Sequence, residues 1–256
     1  MKIATWNVNS LRVRIDHVRD WLSAEQPDIL GLQETKLTDD KFPVDELAEL
    51  GYRSVYSGQP TYNGVALITR ESAEDVITDI DGFEDAQRRV LAATVGGVRV
   101  FNLYVPNGQA VGTEKYTYKL AWLEALTAQL EKALERHENV VAMGDFNIAP
   151  ADEDVHDPVA WQGKILCSDD ERAALARITD LGLADTFRLF EQPENSFSWW
   201  DYRAAGFRRN LGLRIDLILA SATLRDACSA CSIDKEPRRL ERPSDHAPVM
   251  AVFEPQ

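Results

Sequence analysis

An aspartate and an asparagine two residues apart, Asp145 and Asn147 in the tetrapeptide GDFN, follow the apolar run Val140, Val141, Ala142 and Met143. Such a run reads as a buried strand that delivers a carboxylate and an amide to its open end. In a strand, side chains two residues apart emerge on the same face about 7 Å apart, so the pair is expected to point together beyond the strand end. An ionised Asp orients or deprotonates a water, and an Asn donates to a phosphoryl oxygen without adding repelling charge. Both tasks occur in phosphodiester hydrolysis. The competing reading is a polar turn that closes the strand, since Asp and Asn are common turn residues, so other segments have to decide.

Three further strand ends carry similar chemistry. Residues 2–8 read as a strand ending in Asn7 and Asn9, and residues 28–32 as a strand closing on Gln33 and Glu34. Residues 214–221 (RIDLILAS) embed Arg214 and Asp216 on one face beside Leu217, Ile218 and Leu219. A carboxylate in so apolar a stretch needs a partner, because an unpaired buried charge is strongly unfavourable. The candidate is His246 in SDHAP, just before the strand expected at 249–253 and one of four histidines. The other three have simpler explanations: His17 on the polar side of a helix, His137 near a helix C-terminus, where positive charge is favourable, and His156 in a polar loop. A carboxylate on one ring nitrogen would raise the imidazole pKa and fix its orientation, leaving the other nitrogen free to donate to a phosphate.

Glu34, Asp145 and Asp245 with Asn7 and Asn147 form an all-oxygen set of hard ligands, which suits magnesium. That ion keeps several waters and binds through one or two carboxylates plus substrate phosphate. Cys167, Cys228 and Cys231 do not make a four-ligand set and read as structural thiols. No GxxxxGKS phosphate loop is present, which argues against nucleoside triphosphate hydrolysis.

The ordered series WNVNS, LQET, LYVPNG, GDFN, RIDL and SDHAP, with FSWWDYR between GDFN and RIDL, resembles the exonuclease III family of abasic-site endonucleases, within the wider endonuclease/exonuclease/phosphatase superfamily. The likeness spans nearly the whole chain. It implies a divalent-metal-dependent enzyme that cuts the DNA backbone 5′ to an abasic site, with 3′ to 5′ exonuclease and 3′-phosphatase or phosphodiesterase activity. By the same resemblance Glu34 is the principal metal ligand with Asn7 beside it, and Asp245 is metal-linked. Asp145 positions or activates the attacking water, while Asn147, Asn107 and Tyr104 contact the target phosphate. His246, held by Asp216, is the phosphate-binding imidazole. In a two-metal variant of the mechanism Asp145, Asn147, Asp245 and His246 also lie close to an ion. Magnesium is the implied cofactor, with manganese as a substitute. Leu213 stands where some relatives outside bacteria have Trp on the wall of the sugar pocket, and the chain starts directly at its first strand. Both features resemble the bacterial branch.

The elements that position these residues can be read separately. A first helix is expected from about Leu11 with Ser10 as cap and Leu11, Ile15, Val18 and Leu22 as its buried stripe. A long helix follows Thr113, with Tyr116, Leu120, Leu123, Leu130 and Leu134 on one side. A third starts at Ser168, where Glu171 completes a capping box, and ends at Gly182. About ten short strands lie between them, including 63–70, 90–95 and 98–105. No linker or low-complexity stretch interrupts the alternation, so residues 1–256 read as one domain. Two mixed β-sheets packed face to face with helices outside, an α/β four-layer sandwich, fit this order. The resemblance supplies the same DNase I-like fold.

Against 28 Lys plus Arg stand 42 Asp plus Glu, a net charge of -14, which argues against a general nucleic-acid binder. The local distribution differs. From residue 202 to 215 there are four arginines, Arg203, Arg208, Arg209 and Arg214, and no acid, flanked by Phe197, Trp199, Trp200, Tyr202 and Phe207. Arg238, Arg239 and Arg242 add a second basic cluster. Cations beside aromatics suit a loop that enters the minor groove and encloses an extruded sugar. With the resemblance, Trp199, Tyr202, Arg203, Phe207, Arg208, Arg209 and Leu213 are therefore the expected DNA contacts, on double-stranded DNA with abasic sites or blocked 3′ ends. The alternative is two core tryptophans under a solvated arginine face. The acidity is then expected on faces away from the cleft.

No run of some 18 apolar residues could span a bilayer, and the N-terminus enters a strand rather than a secretion signal. A cytoplasmic monomer with no membrane contact and no obligate protein partner is the expectation. Two other function classes fit parts of the pattern: a phosphatase or phosphodiesterase of the same superfamily acting on lipids or small phosphates, and a non-catalytic nucleic-acid binder. The aromatic and arginine loop argues against the first, and the filled acid, amide and histidine positions against the second.

Overall fold

Side-chain alternation along the strands serves two separate apolar environments on each sheet. On β1 (Lys2–Asn7), β2 (Ile29–Gln33) and β4 (Val65–Thr69), the residues Ile3, Ile29, Val65 and Leu67 enter a central cluster. Their neighbours Ala4, Trp6, Leu30, Leu32, Ala66 and Ile68 face an outer one. The pattern repeats on β6 (Val90–Val95), β7 (Val98–Tyr104), β8 (Val140–Asp145) and β12 (Asp216–Ala220). There Leu91, Ala93, Val100, Val141, Met143 and Ile218 join the same central cluster. Ala92, Phe101, Leu103, Val140, Ala142, Leu217 and Leu219 face the other way. A strand buried on both faces by period-two alternation belongs to a sandwich whose outer faces are also covered.

The computed structural model describes residues 1–254. Its first sheet runs β13 (Cys228–Ile233), β14 (Val249–Phe253), β1, β2, β4, β3 (Arg53–Ser57). Its second runs β5 (Glu74–Ile77), β6, β7, β8, β12, β9 (Ala184–Asp185). Each is mixed: β1 and β2 are parallel in one, β7 and β8 in the other, and the remaining pairs are antiparallel. A two-stranded ribbon, β10 (Trp199–Trp200) with β11 (Gly212–Leu213), stands apart. The helices are α1 (Leu11–Glu25), α2 (Val44–Ala48), α3 (Glu114–Arg136), α4 (Pro158–Trp161), α5 (Asp169–Thr179) and α6 (Ala222–Ala227). The α1 and α2 helices cover the outer face of the first sheet through Leu11, Val18, Trp21, Leu22 and Leu47. The α3 and α5 helices cover the second through Trp122, Leu123, Leu126, Leu130, Ala174 and Ile178. This is the four-layer α/β sandwich expected, with fourteen strands among the described residues rather than about ten. The additions are two-residue pairs and the exposed edge strand β5, which leave no periodic trace.

Between the sheets, below the strand ends that matter, lies a polar bond set. Gln33 Nε2 donates to Asn102 Oδ1 (2.6 Å) and Thr5 Oγ1 (2.8 Å), and Asn102 Nδ2 donates to the carbonyls of Leu32 (2.9 Å) and Ala66 (2.8 Å). The Asn102 amide, bonded at both its oxygen and its nitrogen, fixes one register between the sheets, while Gln33 Oε1 accepts no hydrogen bond. Gly31 permits the approach, since a Cβ there would lie 2.7 Å from Met143 Cε.

The helix entries divide. Thr113 accepts from the Tyr116 amide, and Ser168 and Glu171 form the reciprocal capping box as expected. Ser10 does not cap α1. Its φ is 92° and its hydroxyl accepts nothing from the helix. The amides of Ser10 and Leu11 instead donate to the carbonyls of Glu34 and Thr35, at 2.8 and 3.0 Å. The helix start is thus tied to the loop after β2, a long-range contact that supplants the local cap. Ile15, Leu120 and Leu134 are only partly buried, and Trp21, Trp122 and Leu126 take the deep positions.

Candidate active site

The residues named from sequence meet at one end of the sandwich. Asn7 ends β1, Glu34 follows β2, Tyr104 ends β7, Asp145 ends β8 and Asp216 begins β12. Asp216 and Asp145 are register partners on neighbouring antiparallel strands, each about 1 % exposed. Two carboxylates side by side in a dry interior require a cation. His246 provides it: its Nδ1 lies 2.9 and 3.1 Å from the two Asp216 oxygens, and its Nε2 lies 3.7 Å from Asp145 Oδ2. The ring is aimed by its backbone, which bridges to Trp199, and by Ser244 Oγ, which accepts from the His246 amide (3.2 Å).

Asn7 links this row to Glu34, donating from Nδ2 to Asp145 Oδ2 (2.9 Å) and to Glu34 Oε1 (3.0 Å). The other Glu34 oxygen pairs with Lys36 Nζ at 2.9 Å. Lys36 also donates to Asn9 Oδ1, and Asn9 Nδ2 donates to Asp245 Oδ1 (3.0 Å). Asp245 is half-buried, and its second oxygen accepts from the Trp199 indole (3.0 Å). Asn9, named from sequence only as part of the first strand's end, and Lys36, not named at all, therefore join Glu34 to Asp245.

Burial dominates the Asp145 carboxyl and pushes it up to about 7, against the opposing pull of His246. For His246, burial alone would lower the imidazole, but Asp216 and Asp145 overcome it and hold it up at about 10. The ring is thus an imidazolium between two acids. Burial, reinforced by Glu34 and Asp145, raises the Tyr104 phenol far above neutrality, so it stays a donor. The Arg89 guanidinium lies over its ring, 4.6 Å from the centroid.

Asn147 reaches the site by a different route from the one expected. β8 stops at Asp145, and Asn147 has φ 49°, so strand alternation does not place it. Its amide N–H is accepted by Asp145 Oδ1 (2.9 Å), which makes a turn closed by the aspartate itself. The turn and the site are one feature here. Asn147 Nδ2 donates to the Val105 carbonyl (3.0 Å), and its Oδ1 accepts from the exposed Asn107 (3.2 Å). Gly144 lets β8 lie close against β7 just before this turn: its φ is 146°, and a Cβ there would sit 1.9 Å from the Leu103 carbonyl oxygen.

The aromatic and arginine loop is split by function of position. Trp200 is core, fully buried in edge contact with Phe207, whereas Trp199 is half-buried and bound to Asp245. Tyr202 is 51 % exposed, with its hydroxyl donating to the Pro243 carbonyl (2.8 Å). Arg203, Arg208 and Arg209 are exposed, Arg203 pairing with Asp201 at 3.2 Å. Leu213 is wholly buried beside Ala149, Val155 and Leu166. Arg214 does not belong to the basic surface. It is about 1 % exposed and locked between Asp154 (2.6 Å) and Asp185 (2.7 Å), so it and Asp216 turn to different partners. Arg238 is also buried, stacked over Trp200, Tyr202 and Phe207, which leaves Arg239 and Arg242 as the exposed members of that cluster.

The most consequential omission was Lys119, fully buried and paired with Glu171 directly behind the two asparagines. Its signal was present, since Tyr116, Lys119, Leu123 and Leu126 fall on one helical stripe, and a lysine on a buried stripe demands an acid as Asp216 demanded a base.

Asp145, Asp216 and His246 each present a ligand atom within 4.8 Å of the others, a buried cluster able to hold a divalent metal ion when the imidazole gives up its Nε2 proton. The comparisons with known proteins agree with this geometry. The family model described as endonuclease/exonuclease/phosphatase matches residues 4–246. The chain is 38% identical to exodeoxyribonuclease III of Haemophilus influenzae, over 99% of this chain and 100% of that protein. Its structure is similar to a 3′ phosphatase from Neisseria bound to a product DNA hairpin (TM-score 0.98, 49% identity, covering 99% of each chain). It is also similar to an AP endonuclease from Archaeoglobus fulgidus (TM-score 0.95, 41% identity, covering 100% of each). On sequence, fold and the arrangement of the buried acids, the chain belongs to the exonuclease III and AP endonuclease branch of the endonuclease/exonuclease/phosphatase family.

Proposed function

We propose that this protein is a DNA repair enzyme that hydrolyses the phosphodiester bond 5′ to abasic sites in double-stranded DNA and trims blocked 3′ ends, with magnesium as its ion. One observation carries the reading: Asp216 and Asp145, set side by side by strand register, share the His246 imidazole and are joined through Asn7 to Glu34. The names of the relatives, an exodeoxyribonuclease, a 3′ phosphatase and an AP endonuclease, support the substrate class.

The donor set fits a hard cation. Glu34 and Asn7 would hold it, with Asp245 and the Asp145 cluster alongside, and the Lys36 ammonium against Glu34 marks a place where positive charge is favoured. When bound, magnesium, or manganese in its stead, neutralises phosphate charge and stabilises the leaving 3′ oxygen. Asp145, with a carboxyl poised near neutrality, takes the proton of the attacking water. The His246 Nε2 proton, too far from Asp145 at 3.7 Å to be consumed by it, is donated to the phosphoryl oxygen while Asp216 holds the ring. Asn147, Asn107 and Tyr104 orient the phosphate. Trp199, Tyr202, Phe207 and the exposed Arg203, Arg208 and Arg209 grip the duplex, with Leu213 behind the sugar pocket. A cytoplasmic monomer is part of the same proposal.

The test is a duplex bearing one abasic analogue, with magnesium or chelator, compared with intact duplex and a small phosphodiester. Magnesium-dependent cutting at the analogue is the expected result. Binding without cutting, insensitive to chelator, would leave a non-catalytic binder, and preferential cleavage of the small diester would point to a phosphodiesterase of small substrates. Glu34→Ala is expected to shift the magnesium titration of cutting to higher concentration, and an unmoved titration would place the ion elsewhere.

A further inference from the structure

Behind Asn107 and Asn147 lies an ion pair that the chemistry above does not use. Lys119 on α3 and Glu171 on α5 are both completely buried. The Lys119 ammonium has three protons and three acceptors: the Asn147 carbonyl at 2.7 Å, the Asn107 carbonyl at 3.2 Å and Glu171 Oε1. Glu171 is equally committed. Its Oε1 accepts from the Leu166 amide (3.1 Å) and its Oε2 from the Ser168 amide (3.1 Å) and hydroxyl (2.6 Å). An apolar pair of similar volume fills such a space with no desolvation cost, so stability alone does not call for charges here. What the charges do is hold two loop carbonyls that an apolar pair would release.

Both loops need holding. Asn147 sits at φ 49° and Gly108, next to Asn107, at φ 86°, where a Cβ would lie 3.0 Å from Lys119 Cδ. The loop after β7 and the turn after β8 therefore meet on one lysine side chain, and their asparagines touch each other above it (3.2 Å).

We propose that Lys119 and Glu171 are positioning residues that set the two asparagine side chains against the scissile phosphate. The inference rests on the reading of Asn107 and Asn147 as phosphate contacts. Lys119→Ala alone would strand a buried carboxylate and unfold the region, so the informative variant is Lys119→Met/Glu171→Gln, which removes both charges and keeps volume and a capping oxygen. On abasic duplex, kcat is expected to fall at least about thirtyfold with KM within about threefold, as displaced orienting groups do. Adding Asn147→Ala to it should cost less than about threefold more, because the pair acts through that residue. Lys119→Gln/Glu171→Gln, which again removes both charges together, should show the same signature at about threefold to tenfold and serves if Lys119→Met/Glu171→Gln does not fold. Parental kcat in these variants, a loss confined to KM, or full multiplication with Asn147→Ala would overturn the positioning role. A parental rate in Asn147→Ala itself would instead overturn the reading of the asparagines.

Discussion

The floor of the site and the loop above it are built on opposite plans. In the floor, Asp145, Asp216 and His246 are between 1 % and 4 % exposed, the two acids placed by strand register and the imidazole by its backbone bridge to Trp199, each bonded to at least two neighbours. The loop between β10 and β11 hangs on the buried Trp200 and a few side-chain anchors, with Tyr202, Arg208 and Arg209 in solvent. Strand register cannot drift by a fraction of a residue, whereas a loop can adapt to a surface it meets. The division teaches where each kind of damage should appear: floor substitutions in turnover, loop substitutions in binding.

The largest effects test the floor. Asp145→Asn and His246→Ala are each expected to lower kcat on abasic duplex by at least about a hundredfold, the scale for losing a general base or a donor to developing charge. KM should move little. Rates near the parent's in either variant would remove that residue from the chemistry and dissolve the contrast with the loop.

A backbone change reaches the floor without touching its chemistry. Gly144→Ala places a methyl 1.9 Å from the Leu103 carbonyl at φ 146°, so β8 has to shift before Asp145. A loss of at least about 2 kcal/mol is expected from the urea midpoint, since a clash and a disfavoured φ combine. An unchanged midpoint would mean that the close approach of β8 to the Leu103 carbonyl is not fixed.

Gly144 also marks how far the sequence could be read. The apolar run and the GDFN tetrapeptide identify the strand and its acid, and Asp216 in an apolar stretch calls correctly for His246, because burial energetics act on any sequence in the same way. The route of Asn147 was not legible. A turn closed by Asp145 and a continued strand share the same four residues, and only the packing against Leu103 separates them. Arg214 looked like its neighbours Arg208 and Arg209 in composition, and only the fold brings Asp154 and Asp185 to it. Lys119 was hidden in a stripe read as core, where its partner lies 52 residues away on another helix. Sequence thus shows which charges need partners and leaves to topology which partners they get.

The proton affinity of the floor gives a third test, of intermediate size. His246 and Asp145 both bind protons more tightly folded than unfolded, at about 10 against 6.5 and about 7 against 3.8. The folded state therefore holds the extra protons, and stability falls as pH rises. The His246 contribution is whole below 6.5 and lost as pH passes about 10, while Asp145 acts in the same direction between 3.8 and about 7. In chelator, Tm is expected to drop by roughly 5 °C more between pH 6 and 10 in the parent than in Asp216→Asn, which removes the acid that holds the imidazolium. Equal slopes would show that the imidazole is not charged in the fold. Loop variants should keep the parental slope.

The smallest effects belong to the loop. Arg208 and Arg209 are exposed and, among the described residues, take part in no ion pair, so their charges are available to a polyanion. Arg208→Ala and Arg209→Ala are each expected to raise KM by about threefold to tenfold with kcat preserved, and to reduce the slope of log KM against log salt by about one. Arg203 is already held by Asp201 at 3.2 Å, so Arg203→Ala should cost less, and Asp201→Asn should lower KM by freeing it. Electrostatic grip on phosphates acts on the ground state and the transition state alike, which is why it registers in KM. If these variants instead lost kcat, the loop would be arranging the scissile phosphate as the asparagines do, and binding and chemistry would share one structure rather than two.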